Sequence, residues 1–161
     1  MNGLMQQGEP TGESGTADQA VAGTGAGSAA DVIRELYKAL SVGDVPGVLA
    51  RLDPDVVVDE PPALPYGGVP RGRDVFVQSI LGAMMGYAAV EVTEFEVFEG
   101  PTGVVGTLVG RLTAHTSGET FPLAMVELHD VVGDTSRRID VYVKDPEALA
   151  AFYARSATPA V

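Results

Sequence analysis

Two adjacent carboxylates, Asp59 and Glu60, close the β-branched run Val56–Val58 and stand directly before the stiff segment PPALPYGG. Side chains on a strand alternate between faces, so Val57 and Asp59 share one face, and Val56, Val58 and Glu60 share the other. A carboxyl carried into an apolar interior has its pKa raised and becomes a proton donor or acceptor near neutrality. The competing arrangement is a solvated strand-end acid that caps backbone N–H groups of the loop. A second group lies in FPLAMVELHD, where Phe121, Leu123, Met125, Glu127 and His129 share one face. Pro122, Ala124, Val126, Leu128 and Asp130 share the other. Both faces are mostly apolar, so periodicity does not choose between them. The first places an acid and an imidazole side by side, a pairing suited to proton transfer. The second leaves Glu127 and His129 as an exposed pair.

A third group alternates along the last strand candidate, with Asp140, Tyr142 and Lys144 on one face and Ile139, Val141 and Val143 on the other. If the aliphatic face packs within the domain or against a second subunit, the polar face turns toward a cavity. Asp140 opposite Asp59 would then form a carboxylate pair with divided acid and base roles. An ion pair of Asp140 with Arg138 or Lys144 is the alternative. Tyr37 and Tyr66 each join an aromatic body to a hydroxyl that needs a partner, and either could orient a carbonyl.

Other chemistries find little support. The chain has no cysteine, which removes thiolate chemistry and disulfides and makes a reducing cytoplasm the simplest home. Its two histidines fall on different strand candidates with no tight ligand spacing, so neither a metal nor a cofactor is expected. GTGAG follows no strand and is not a phosphate loop. With 22 acidic against 10 basic residues the net charge is −12, which repels nucleic acid and anionic membranes. No apolar run is long enough to span a bilayer, and the first residues lack the basic and apolar regions of a secretory signal.

The elements that must position these residues can be read from the apolar period. Residues 1–28 are rich in Gly, Ser, Thr and Ala and are expected to be a disordered tail, followed by one domain over 29–155 and a short disordered end, 156–161. Ser28 and Asp31 form a short-armed capping box ahead of a helix with the stripe Val32, Ile33, Leu36, Tyr37 and Leu40. Gly43 ends it. Asp44 caps a second helix that turns Val48, Leu49 and Leu52 inward, and Asp53-Pro54-Asp55 ends that one. A strand over Val56–Glu60 and an apolar helix over Asp74–Met85 follow. The period then changes to two, giving strands Val90–Phe98, Val104–His115, Phe121–Val131 and Arg138–Lys144. Asp145-Pro146-Glu147 opens a last helix.

This order, with EPPALPYGG and RGRD in the middle and VKDPEAL at the end, resembles the SnoaL-like family of the nuclear-transport-factor-2-like superfamily, over roughly Ser28 to Tyr153. The resemblance implies an α+β fold: a cone-shaped, curved antiparallel sheet with helices packed on its concave side and a pocket within. Its relatives include polyketide ring cyclases, ketosteroid isomerase, limonene epoxide hydrolase and non-catalytic modules, so fold alone does not give the reaction. Similarity to the epoxide hydrolase places Asp59 inside the cone and turns Tyr142 toward the cavity. The expected activity is therefore cofactor-free cyclisation or isomerisation of a hydrophobic small molecule, with Asp59, Asp140 and Glu127 as catalytic carboxylates. Tyr37, Tyr66, Met125, His129 and Tyr142 would line the substrate. Epoxide opening and a non-catalytic binding or dimerising role stay open. Against the former, Leu108 and Gly110 fall nearest the Arg-x-Asp pair of the epoxide hydrolase. The turn VVGDTSRR also departs from the tight Asp-Gly-Lys hairpin of many members. A homodimer through the sheet face is the expectation for the superfamily.

Overall fold

The computed structural model describes residues 27–157. Of the segments expected to be disordered, 1–28 and 156–161, residues 1–26 and 158–161 lie outside the described residues, while Ser28 caps the first helix and Ser156 is the buried last residue of the final one. Helix α1 (Ala29–Val42) starts at the capping box: Ser28 Oγ accepts from Asp31 N–H at 3.2 Å, and Asp31 Oδ2 accepts from Ser28 N–H at 3.0 Å. Gly43 ends it in the left-handed conformation, at φ 70°. Its stripe Val32, Ile33, Leu36 and Tyr37 is buried against the sheet. Asp44 caps the short α2 (Val45–Ala50).

Leu52, expected on the inner face of that helix, instead begins strand β1 (Leu52–Asp59). Asp53-Pro54-Asp55 does not precede the strand but lies within it, at a bulge pinned by Asp53 Oδ1 accepting from Asp55 N–H at 2.8 Å. After β1, Glu60 and Gly68 exchange backbone hydrogen bonds of 2.8 and 3.1 Å, which close residues 61–67 into a compact loop. Two inner turns stiffen it, Leu64 N–H to Pro61 O and Gly67 N–H to Leu64 O. A side chain at Gly67 would run into the Pro61 carbonyl.

The apolar helix that follows has three consecutive stretches: α3 (Arg73–Val75), a π-helical stretch Phe76–Leu81, and α4 (Gly82–Tyr87). Strands β2 (Ala88–Gly100), β3 (Gly103–Ala114), β4 (Thr120–Val132) and β5 (Thr135–Val143) form an antiparallel meander. Helix α5 (Pro146–Ser156) closes the domain behind its Asp145 cap.

The five strands are ordered β1-β5-β4-β3-β2, and β1 runs parallel to β5. The sheet is therefore mixed rather than wholly antiparallel. A helix and three strands separate β1 from β5 in the chain, so no hairpin forces the two to run in opposite directions. The turn after β4 pairs Val132 with Thr135 around Gly133 and Asp134, with Gly133 at φ 63°. That turn sets His129 opposite Ile139, Glu127 opposite Val141 and Met125 opposite Val143. The face common to all three pairs is the one that α1 covers.

Candidate active site

Helices and inner sheet face enclose a cavity of about 530 Å³. Its wall is largely apolar: Phe76, Ile80 and Met84 come from the π-helical stretch and α4, Leu108 from β3, and Leu123 and Met125 from β4. Two carboxylates interrupt that wall, Glu60 and Glu127, and no Lys or Arg is among the lining residues.

Glu60 is held at the mouth of the Pro/Gly loop by both of its backbone groups, and only 6% of it is exposed. No described residue hydrogen-bonds its carboxyl. Burial pushes its pKa up to about 8, with the negative charges of Glu127 and then Asp59 adding to the effect. At neutral pH the group is a carboxylic acid facing an apolar cavity. Nearby, the hydroxyls of Tyr66 and Tyr153 stand 3.2 Å apart. Burial is the main cause holding both phenols protonated, raising Tyr66 and pushing Tyr153 up to about 12, and the Glu60 charge contributes at both.

Glu127 has a different environment. Tyr37 O–H donates to its Oε2 at 2.7 Å, and His129 Nε2 lies 3.2 Å from the same oxygen and 3.0 Å from the Tyr37 hydroxyl. No described residue hydrogen-bonds Oε1. Behind the imidazole, Ser136 Oγ is 3.1 Å from His129 Nδ1 and donates to the Arg138 carbonyl at 3.2 Å. The serine thereby ties the imidazole to β5, on the side away from Glu127. Tyr37 is fully buried, and burial followed by the Glu127 charge raises its pKa, so it acts as a donor.

Gly106 is the residue that lets Tyr37 reach this position. It pairs with Glu127 across β3 and β4, and a Cβ there would overlap the Tyr37 hydroxyl. A glycine inside a strand is the sequence sign of such a close approach. Neither Gly106 nor Ser136 stood out from residue type alone.

The site residues expected from sequence separate into two sets. Glu127, Met125 and Tyr66 line the cavity, while Tyr37 and buried His129 stand directly behind Glu127. Asp59, Asp140 and Tyr142 lie on the opposite face of the sheet, which corrects the expectation that they turn inward. Arg138 Nη2 sits between the two aspartates, 2.8 Å from Asp140 Oδ1 and 3.5 Å from Asp59 Oδ2. The Asp140–Arg138 ion pair is thus the arrangement found, and Tyr142 is 57% exposed. The cause is hydrophobic burial. The aliphatic Ile139 and Val141 are buried on the cavity side, as are Val56 and Val58 on β1, and Glu60 follows them.

His115 is exposed at the rim, with Nε2–H donating to Met85 O at 2.8 Å. Among the described residues, no cluster of three or more His, Cys, Asp or Glu could hold a metal ion, and no helix is long and apolar enough to cross a membrane.

No protein-family model matches the sequence, and no curated protein does. Solved structures do match. An NTF2-like protein of unknown function from Burkholderia pseudomallei superposes with a TM-score of 0.66 at 25% identity, over 81% of this chain and 97% of that one. A proposed polyketide cyclase from Xanthomonas campestris pv. campestris gives 0.65 at 24% identity, over 80% and 96%. TerC, co-crystallised with polyporic acid, gives 0.68 at 18% identity, over 78% and 98%. This chain has the NTF2-like fold: an α+β protein with helices packed on one face of a curved, mixed sheet.

Proposed function

We propose that the chain is a cofactor-independent SnoaL-like enzyme that moves a proton next to a carbonyl in a hydrophobic small molecule, in cyclisation or isomerisation of the polyketide-cyclase kind. The observation that carries this reading is the unlike state of two carboxyls in one apolar cavity. Glu60 is neutral and has no described partner, whereas Glu127 takes two contacts on Oε2 and leaves Oε1 to the cavity. Glu127 takes the α-proton through Oε1, and the C–H electron pair moves into the C–C–O system. Glu60 donates its proton toward the oxygen where charge develops, a role open to a carboxylic acid kept neutral at pH 7. Return of a proton at another carbon gives isomerisation, and attack of the enol carbon on a second carbonyl gives ring closure. Solved structures of the same fold that are proposed polyketide cyclases, or hold polyporic acid, support a ring-bearing substrate class.

The test is exchange of the α-protons of 2-tetralone in D₂O, followed by NMR. Wild type is expected to exceed the buffer rate, and Glu60→Gln and Glu127→Gln to lose the excess. Equal rates in all three proteins would refute the reading.

The outer sheet face supports a homodimer. Phe98, Val109, Val126, Leu128 and Tyr142 are exposed there, and Val126 pairs with Tyr142 across the strands. Light scattering on wild type and Leu128→Glu tests it: a dimer converted to monomer is expected, and a monomeric wild type removes the proposal.

A further inference from the structure

We infer that the cavity binds hydrophobic ammonium ions, seating the charged nitrogen between the Glu60 and Glu127 carboxyls. This rests on the same placement of the two acids as the proposed function, but it needs no catalysis. Glu60 is more than nine-tenths buried, aims into the cavity and has no hydrogen-bond partner among the described residues, and Glu127 Oε1 also lacks one. No Lys or Arg lines the cavity to balance them, and the lining His115 spends its Nε2–H on Met85 O at the rim. The hydroxyls of Tyr66 and Tyr153 face each other. The donors left over are one phenol proton and that of Glu60, fewer than the open lone pairs of Glu60, Glu127 and the phenols, so the complementary ligand brings donors of its own. An ammonium brings three N–H donors and a positive charge, and hydrogen bonds between ionised partners are the strong ones. The apolar body of such a ligand would rest on Phe76, Ile80, Met84, Leu108 and Leu123. An organic anion of the same shape would meet two acids and no cation.

Binding is coupled to a proton. The titratable groups that act on Glu60 are Glu127 on β4, Tyr66 in the loop, Tyr153 on α5 and, from the opposite face, its chain neighbour Asp59, and none is a cation. Those around Glu127 are Tyr37 and His129, and His115 stands at the rim. In the empty cavity Glu60 keeps its proton to about pH 8. A cation seated against it favours the carboxylate, so neutral Glu60 plus R–NH₃⁺ becomes a carboxylate–ammonium pair and one proton leaves for the buffer.

The experiment is calorimetric titration of the full chain at neutral pH with 2-aminotetralin and tetralin-2-carboxylate, each in phosphate and in Tris. The amine is expected to bind at least about tenfold more tightly than the carboxylate. Its apparent enthalpy should differ between the buffers by the release of close to one proton. In Glu60→Gln, confirmed folded by circular dichroism, the buffer dependence should vanish and affinity should fall. Should that variant not fold, wild type repeated at about pH 9 in two buffers of that range is the substitute, where Glu60 is mostly ionised, the amine is still mostly charged and the release should shrink to near zero. Equal binding of amine and acid, no amine binding at about 1 mM, or a buffer-independent enthalpy in wild type overturns the inference. Exchange of 2-tetralone without amine binding overturns this inference alone, whereas amine binding without exchange leaves it standing and removes the catalytic reading.

Discussion

Asp59 and Glu60 are chain neighbours, yet they head two carboxylate pairs with opposite physical characters. On the outer face, Asp59 and Asp140 share Arg138 in water, with side chains 47% and 30% exposed. On the inner face, Glu60 and Glu127 share an apolar cavity without a cation. The outer pair is neutralised by a counter-ion and screened by solvent, so it has little free energy to lend to chemistry. The inner pair has neither, so the protein must solve the electrostatic problem otherwise, by keeping one acid protonated and hydrogen-bonding the other. Two acids facing each other are therefore not informative until the medium between them is known.

The largest effect that would separate the pairs is on turnover. Glu127→Gln should slow 2-tetralone exchange by about a hundred- to ten-thousand-fold, the range for loss of a general base. Asp140→Asn should leave the rate within about twofold, since a solvated ion pair carries little. Comparable losses in both variants would erase the contrast drawn between the faces.

The pH dependence of stability comes next. Glu60 is an acid whose folded pKa, about 8, stands above its ordinary value of 4.5. The folded state then holds a proton that the unfolded chain has released. The group's contribution is greatest below the unfolded value and declines by about 1.4 kcal/mol per pH unit as pH rises toward the folded one. Glu60→Gln should remove that slope. In urea unfolding at about pH 5.5 and about pH 7.5, the variant should gain on wild type at the higher value. A constant difference between the two proteins would show that Glu60 titrates as it does in water.

Packing behind Glu127 ranks third. Gly106→Val must displace Tyr37 and should destabilise by about 1–3 kcal/mol, the usual cost of overfilling a packed core. Tyr37→Ala added to Gly106→Ala should cost less than the two single changes summed, a partial recovery, because both the hydroxyl and the ring edge of Tyr37 are what a Cβ there would meet. No recovery would place the strain elsewhere. The smallest effect joins the two faces. Asp59 is a lesser contributor to the raised Glu60 pKa, so Asp59→Asn should shift the pH–rate midpoint slightly downward. An upward or unmoved midpoint would remove Asp59 from the influences on Glu60.

Much of the architecture was legible because the apolar period changes from helical to strand-like near Tyr87, and caps and turn glycines mark the joints. Alternation also separated Asp59 from Glu60 correctly. It failed at the choice of face, and the reason lies in β1: with Leu52 read as helical, the strand showed only Val56 and Val58 against Val57. Restored to the strand, Leu52 adds a third fully buried aliphatic to the side that carries Glu60. On β5 the aliphatic set Ile139, Val141 and Val143 already pointed inward by simple burial, and analogy to a related enzyme turned it outward. The Tyr37–Glu127–His129–Ser136 connection was beyond reach, since it joins a helix to two strands through distances that no local pattern encodes.

The bulge in β1 has a consequence for how the site can change. Between the pairs Leu52–Ser136 and Val57–Arg138, β1 advances five residues while β5 advances two. β5 is itself irregular here, since Ser136 and Arg138 are two residues apart yet lie on opposite faces. The odd excess of three in Asp53-Pro54-Asp55 matches that shift and keeps Glu60 on the side of Leu52. Adding or removing one residue there would exchange the two acids, putting Asp59 beneath the helices and Glu60 beside Arg138. Substitution can tune this site gradually, whereas a single-codon insertion or deletion in those three positions would turn it inside out.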